Sequence, residues 1–350
     1  MSQRLIFTNT VGSVLDALIA ELGNPTVYVL VDDNTAEFVL PILKAEASSM
    51  SAATTIVVNH GDVNKNVSSL QCVWDALSCG GANRRSVLVN VGGGMVTDLG
   101  GFAAATFKRG IRFINIPTTL LAAVDASVGG KTGINFNGLK NEVGVFSEAY
   151  ATIISTTYFK TQQGDELLSG YAEMLKHALL ENRRMLVHLL NSSVDDIDLS
   201  LVEQSVATKR RIVEEDFHEK AIRKALNLGH TAGHAFESFA MQRNAPVSHG
   251  CAVAHGCVVA LVLSHMILNF PTTDLHSFSA YVRENYVPLV FTCDEYPKLL
   301  EFMSHDKKNT SDKYINFTLL SDIGEVRIDS AVSYDDVRNA LDIYRDLMRI

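Results

Sequence analysis

The stretch RKALNLGHTAGHAFE, Arg223 to Glu237, carries a guanidinium, an amide and two imidazoles. Arg223, Asn227, His230 and His234 are spaced four, three and four residues apart, so an unbroken helix would stack them on one face. Imidazoles joined by a carboxylate from another element make a metal site. With three protein ligands, such a site leaves one position for a substrate oxygen. Glu173, His230, His234, His249 and His255 are the candidate ligands. The residues between His230 and His234 are Thr231, Ala232 and Gly233, with none of the glutamate that hydrolytic zinc enzymes place there. Proteolytic chemistry is therefore not expected. In GYAEMLKHALL, Glu173 and Lys176 lie three apart and can face the same way. An isolated pair of this kind is more often a surface ion pair.

Two other stretches suit an anionic ligand. SVLVNVGGGMVTDLGGFAAATFKRG runs from a strand through three glycines into a helix. Backbone N–H groups at such a helix start attract phosphate, and glycine lets it approach. The spacing is not G-x-G-x-x-G, because Thr97 and Asp98 interrupt it, so a purely structural turn competes with this reading. VDDN ends one strand at Asp32 to Asn34, and GDVNK ends the next at Gly61 to Lys65. VDASVGGKTGINFNGLKNEVG gathers Asp125, Lys131, Lys140 and Asn141 in a glycine-rich run, which reads as a phosphate-binding loop.

These groups need elements to hold them. TVYVLVDD, TTIVVN, SVLVNVGGG and RFINIPTT are short apolar runs typical of buried strands. Helical stretches at Thr35 to Ala47 and Val67 to Leu77 alternate with them, which predicts a Rossmann-like α/β domain on a parallel sheet over residues 1–157. Ligands of such sheets sit at the carboxyl ends of the strands. Residues 158–350 carry helical periodicity, and a mostly α-helical domain is expected there. KYINFTLLSD and GEVRID read as a hairpin, and a last helix is predicted from about Ser333.

The 350 residues are 47% hydrophobic and 20% charged, enough for two packed cores. A net charge of -9 disfavours nucleic acid and anionic membrane surfaces as partners. No signal or transit peptide is read at MSQRLIFTNTVGSVLD. CAVAHGCVVALVLSHMIL comes nearest to the roughly 18 to 20 apolar residues of a membrane span. His255 and His265 interrupt it, so a buried core helix is expected. Five cysteines without a C-x-x-C pair fit a reducing cytoplasm.

GGGMVTDLGGFAAATFKRG, IPTTLLAAVDASVGGKTGIN, LKNEVG, GYAEMLKHALL and LNLGHTAGHAFE, in this order, resemble the 3-dehydroquinate synthase family of sugar-phosphate cyclases. The likeness runs from about Asp32 to the DKK at Asp306 to Lys308. It implies an N-terminal NAD-binding domain and a C-terminal zinc domain, with Co2+ able to substitute. It implies Glu173, His230 and His249 as metal ligands, although Cys251 stands where the family has Glu in H-G-E-x-V. NAD contacts are implied for Asp32, Asn34, Asp62, Lys65, Gly93, Gly94, Asp98, Thr118, Thr119, Leu121, Lys140, Asn141 and Thr161. The implied substrate is 3-deoxy-arabino-heptulosonate 7-phosphate. Lys131, Asn141, Asn227, His234 and Lys307 (or Lys308) would meet its phosphate, and Arg223 and Lys209 its carboxylate; Asp125 and Lys176 complete the catalytic set.

A homodimer is implied too. Arg109, at the far end of the helix that starts at the glycine turn, would reach the partner's substrate; otherwise it is half of a surface basic pair with Lys108. Three rivals are a cyclase acting on sedoheptulose 7-phosphate, a polyol dehydrogenase of the glycerol dehydrogenase type, and a non-enzymatic NAD sensor. The first has no use for two carboxylate-binding cations, the second needs fewer phosphate ligands, and the third does not need Glu173, His230 and Lys176 intact.

Overall fold

The computed structural model describes residues 3–162, 164–304 and 314–350. The chain groups into two compact units, one of residues 1–163 with 197–206, the other of 164–196 with 207–350. The division expected after residue 157 thus falls six residues later, and one helical segment of the second half groups with the first unit.

Among the described residues, the first unit has a six-stranded sheet in the order β1-β8-β5-β4-β2-β3. The strands are β1 (Leu5–Phe7), β2 (Val27–Asp32), β3 (Thr54–Val58), β4 (Val87–Gly92), β5 (Arg112–Pro117) and β8 (Ala151–Ile154). Every pairing in it is parallel. The helices are α1 (Val11–Glu21), α2 (Asp33–Phe38), α3 (Leu40–Glu46), α4 (Val67–Cys79) and α5 (Gly94–Thr106). Alternation along the strands sorts side chains to two cores. Val29, Val31, Val89 and Ile114 pack with Leu15 and Leu18 of α1 and Leu43 of α3. Tyr28, Leu30 and Leu88 pack with Val73 and Leu77 of α4 and Leu99 and Phe102 of α5. Both faces are covered, so β2 and β4 are buried throughout, as parallel strands with helices on both sides must be.

The predicted helix from Thr35 to Ala47 is broken at Val39, where Pro41 follows in the first turn of α3. Residues 131–146 are not a loop. They form an antiparallel hairpin of β6 (Lys131–Phe136) and β7 (Leu139–Phe146). Asn137 and Gly138 both have positive φ at its tip, the backbone that a tight two-residue turn requires.

The second unit contains α6 (Gly164–Glu181), α7 (Arg183–Leu190), further helices and a hairpin. α8 (Leu199–Glu215) is shared between the two groupings. α9 (His230–Gln242), α10 (His249–Leu268), α11 (Thr272–Asn285), α12 (Tyr296–Ser304) and α13 (Tyr334–Met348) follow, with β9 (Tyr314–Asp322) and β10 (Glu325–Ser333) antiparallel before α13. Ser333 caps α13 by accepting the Asp336 N–H. α10 is long and apolar enough to cross a membrane by length and composition, more so than its sequence suggested. Its residues from Gly250 to Ser264 are buried, so it is the core helix of its unit.

The stretch that begins with Arg223 is not one helix. Ile222–Asn227 is a 3-10 turn, Gly229 takes a left-handed conformation with φ +77°, and α9 starts at His230. The single face expected for Arg223, Asn227, His230 and His234 therefore does not exist. The chain re-aims at Gly229 instead.

Candidate functional site

In the second unit, three elements converge on a buried carboxylate. Glu173 lies in the middle of α6 and is fully buried. Gly250, at the start of α10, sits so close to α6 that a Cβ would lie 2.0 Å from the Ser169 carbonyl oxygen. That approach brings His249, the first residue of α10, to the level of Glu173 one turn beyond Ser169. Gly229 does the same for His230: its left-handed backbone turns the chain so that α9 opens with this histidine. Nε2 of His230 and Nε2 of His249 each lie 3.9 Å from Glu173 Oε1. The three donor atoms fall within 4.8 Å of one another.

Glu173 Oε2 is ion-paired with Lys176 Nζ, and both side chains are buried. The pair is real, but it is not the surface pair that its spacing alone suggested. Among the described residues, Glu173 Oε1 has no hydrogen-bond donor. A buried carboxylate oxygen without a donor is costly, and here two imidazole nitrogens face it. Each ring is steered by its other nitrogen: His230 Nδ1 lies 3.2 Å from the Leu228 carbonyl oxygen, and His249 Nδ1 lies 3.4 Å from Glu237 Oε2. If each Nδ1 carries the ring proton, each Nε2 is left with a lone pair 3.9 Å from Glu173 Oε1. This donor set, two imidazoles and one carboxylate, fits a divalent metal with an open position.

The other two candidate histidines, His234 and His255, are not part of this donor group. His234 is exposed and stacks its ring edge-on to His230, with centroids 5.2 Å apart. His255 is fully buried and uses both ring nitrogens. Nε2 faces the Val287 carbonyl at 2.9 Å, and Nδ1 meets the Tyr344 hydroxyl at 2.9 Å. Burial pushes its pKa down to about 4, so it is a neutral structural histidine. Cys251 is buried against the Val287 carbonyl, its thiol pushed up to about 11 by burial.

Around Arg223, a loop is pinned by a residue that the sequence reading passed over. The Asp216 carboxylate accepts the backbone N–H groups of Lys220, Ala221 and Arg223. Arg223 is buried and donates through Nη1 to the Phe217 carbonyl. Asn227 donates to Glu219 Oε1 at 3.0 Å. Lys209, in α8, is buried. Lys307 lies outside the described residues.

The first unit brings together a second group. Lys65 Nζ lies 3.1 Å from Asp98 Oδ2 and 3.3 Å from Asp62 Oδ1, and Lys140 Nζ lies 3.7 Å from Asp62 Oδ2. Burial works against the Lys65 charge, but Asp98 and Asp62 outweigh it and raise its pKa. Burial likewise opposes the Asp62 charge, and Lys65 and Lys140 lower its pKa nonetheless. Asn135, absent from the sequence reading, donates to Asp62 Oδ2 and accepts the Asn141 backbone N–H, fastening the hairpin to this network.

Gly93 caps α5 at the end of β4, and a Cβ there would come within 3.2 Å of Thr119 Cγ2. Thr118 donates its backbone N–H to the Gly92 carbonyl, and Leu121 follows at the start of a short π-turn, Ala122–Ala126, that includes Asp125. Neighbouring strands β2 and β4 connect onward in opposite directions, β2 to β3 and β4 to β5. Their carboxyl ends, at Asp32 and Gly92, therefore border the crevice where open α/β sheets bind ligands.

Several expected contacts stand apart from these groups. Asp32 Oδ1 is committed to capping α2, where it accepts the Thr35 N–H at 2.7 Å. Asn34 is exposed beside Asp33, whose Oδ1 holds His60. Thr161 is exposed, although its neighbour Gln162 accepts the Leu120 N–H near the end of β5. Lys131 is exposed at the start of β6. Arg109 is not on α5: Lys108 and Arg109 both take positive φ in the turn that leads to β5, at the amino edge of the sheet.

Residues 55–169 match the N-terminal model of 3-dehydroquinate synthase, and residues 170–309 match its C-terminal model. The 3-dehydroquinate synthase of Parabacteroides distasonis is 47% identical over 98% of both chains. That of Rhodopirellula baltica is 35% identical over 93% of this chain and 89% of its own. In fold, the chain resembles a 2-deoxy-scyllo-inosose synthase solved with carbaglucose-6-phosphate, NAD+ and Co2+, with TM-score 0.81 and 21% identity over 98% of this chain and 96% of that one. It also resembles the 2-epi-5-epi-valiolone synthase of Streptomyces hygroscopicus, solved with NAD+ and Zn2+, with TM-score 0.81 and 22% identity over 99% and 97%. With both halves matched in order and nearly half of all residues shared with one full-length relative, this chain belongs to the 3-dehydroquinate synthase family.

Proposed function

We propose that the chain converts 3-deoxy-D-arabino-heptulosonate 7-phosphate to 3-dehydroquinate and phosphate, the second step of the shikimate route to aromatic amino acids. It would act as a carbon–oxygen lyase that uses NAD and Zn2+. One observation carries the metal half of this reading. A buried Glu173 oxygen, without a hydrogen-bond donor among the described residues, faces Nε2 of both His230 and His249.

Glu173, His230 and His249 would hold the metal, and the glycine turn at Gly93 and Gly94 with Asp32, Asn34, Asp62, Lys65, Asp98, Thr118, Thr119, Leu121, Lys140, Asn141 and Thr161 would hold NAD. Bound NAD would supply reversible hydride acceptance at a carbinol carbon, and the bound metal would supply Lewis-acid polarisation of a substrate oxygen. The chain's own groups bind and orient. In the second unit, Arg223 and Lys209 suit the substrate carboxylate, because a guanidinium can grip both oxygens. Asn227 and His234 suit its phosphate, as do Lys131 and Asn141 in the first unit. Lys176 holds Glu173 in place through their buried ion pair. Asp125 is left with a catalytic role from the family likeness alone. The leaving phosphate can itself accept the proton of the elimination, so positive positioning groups matter more than a carboxylate base.

Two cations suited to a carboxylate, Arg223 and Lys209, favour this substrate over sedoheptulose 7-phosphate, which has no carboxylate. A homodimer is part of the proposal. Arg109 is exposed at the amino edge of the sheet, away from the strand ends that border the crevice, so it suits a partner's substrate better than its own. β7 is exposed along its length and presents Leu139, Val143, Val145 and Phe146. The free state of the cysteines supports a cytoplasmic location.

Metal removal tests the reading. Chelation should abolish turnover, and Zn2+ or Co2+ should restore it. Full turnover by verified metal-free protein would overturn it.

A further inference from the structure

The two histidines that face Glu173 are steered differently. His230 Nδ1 meets the Leu228 carbonyl, a backbone group that no side-chain substitution removes. His249 Nδ1 meets a side chain, Glu237 Oε2, at 3.4 Å. Glu237 lies on α9, seven residues after His230, so the helix that carries one ligand also carries the carboxylate that orients the other. Its side chain is largely buried, at 12% exposure.

We propose that Glu237 is a positioning residue for the metal centre. Its carboxylate holds His249 in the tautomer with the proton on Nδ1, and so keeps the Nε2 lone pair aimed at the space beside Glu173 Oε1. It also raises the donor strength of the ring, as carboxylates behind ligating histidines do. Without Glu237, His249 can rotate or exchange tautomers, and the site keeps two well-aimed donors instead of three. The proposal rests on the metal reading of Glu173, His230 and His249.

The experiment uses the full chain freed of metal and titrated with Co2+, whose visible absorption reports ligand number and geometry. Glu237→Ala should weaken Co2+ binding by roughly 10- to 100-fold. Glu237→Gln keeps an acceptor but no charge and should fall between Ala and the native protein. Melting of the metal-free variants should match that of the native metal-free protein, which separates positioning from folding. Nitrogen chemical shifts of the metal-free protein should show His249 protonated on Nδ1 natively, and a tautomer mixture in Glu237→Ala. Native Co2+ affinity and an unchanged tautomer in Glu237→Ala would overturn the proposal while leaving the metal site intact. His230→Ala distinguishes the deeper failure: if it also binds Co2+ natively, the metal reading itself is wrong, and the role of Glu237 falls with it.

Discussion

Replacing Gly229 with alanine tests how the second unit places His230. Two costs can be worked from the structure. The first is conformational. Gly229 has φ +77°, and an L-residue in the left-handed region costs about 1–2 kcal/mol. The second is steric. A Cβ at Gly229 would lie 2.5 Å from Cys257 Sγ, 2.7 Å from Cys257 N and 3.0 Å from the Val253 carbonyl oxygen. Two of those atoms are backbone of α10, so a side-chain rotation cannot relieve the contact and the chain before α9 must move. Overpacking of this kind costs about 1–3 kcal/mol. The sum is about 2–5 kcal/mol. Gly23→Ala supplies the reference: its φ is +83° and nothing lies within 4 Å of its Cβ, so only the conformational cost applies. Denaturant midpoints should show Gly229→Ala losing clearly more stability than Gly23→Ala. Because His230 is the next residue, Co2+ affinity should fall in Gly229→Ala and stay native in Gly23→Ala. Equal costs for the two variants, with native Co2+ affinity in both, would refute the reasoning.

Three further outcomes are expected. Arg223→Lys should raise the KM for the heptulosonate phosphate about tenfold or more, since an ammonium loses the two-pronged grip; unchanged kinetics would remove Arg223 from carboxylate binding. Mixing the inactive variants Arg109→Ala and Lys131→Ala should restore about a quarter of native activity, because half of randomly formed dimers are mixed and each mixed dimer has one intact site; no recovery after subunit exchange would place Arg109 in its own chain's site. The buried His255 has a folded pKa of about 4 against an ordinary 6.5. The unfolded chain therefore takes up the proton first, and stability present above about pH 6.5 should be lost as pH falls toward 4, by up to about 3 kcal/mol. His255→Gln should flatten that pH dependence, and an identical pH profile would contradict it.

The parallel sheet was legible because buried strands are continuous apolar runs: β2, β4 and β5 all lie within such runs. α13 and the β9–β10 hairpin were legible from Ser333 and from the turn between two apolar stretches. The metal group was legible as residue types, and its three members came from motif likeness, since nothing in the spacing distinguishes His249 from His255. Burial does: α10 presents His249 at its first turn and sinks His255 against Tyr344. The misread helix at Arg223 shows a spacing match overriding a glycine. Gly229 stood in the middle of the proposed helix, and its left-handed turn is what separates Arg223 and Asn227 from His230 and His234. The hairpin of residues 131–146 was signalled by Asn137-Gly138, the common two-residue turn, but its glycines made it look like a loop. Glu237, Glu219, Asp216 and Asn135 act by holding other residues. Their partners lie far along the chain or across a turn, so no local pattern reveals them. In the single case of Glu237, its helical register with His230 was a usable clue.

The most direct measurement is turnover of 3-deoxy-D-arabino-heptulosonate 7-phosphate by the purified protein with NAD+ and Zn2+, following phosphate and dehydroquinate together. Phosphate and dehydroquinate should form in equal amounts with no net accumulation of NADH, and sedoheptulose 7-phosphate should not be turned over under the same conditions. Metal-loaded protein that forms no dehydroquinate, or that cyclises sedoheptulose 7-phosphate equally well, would contradict the assignment.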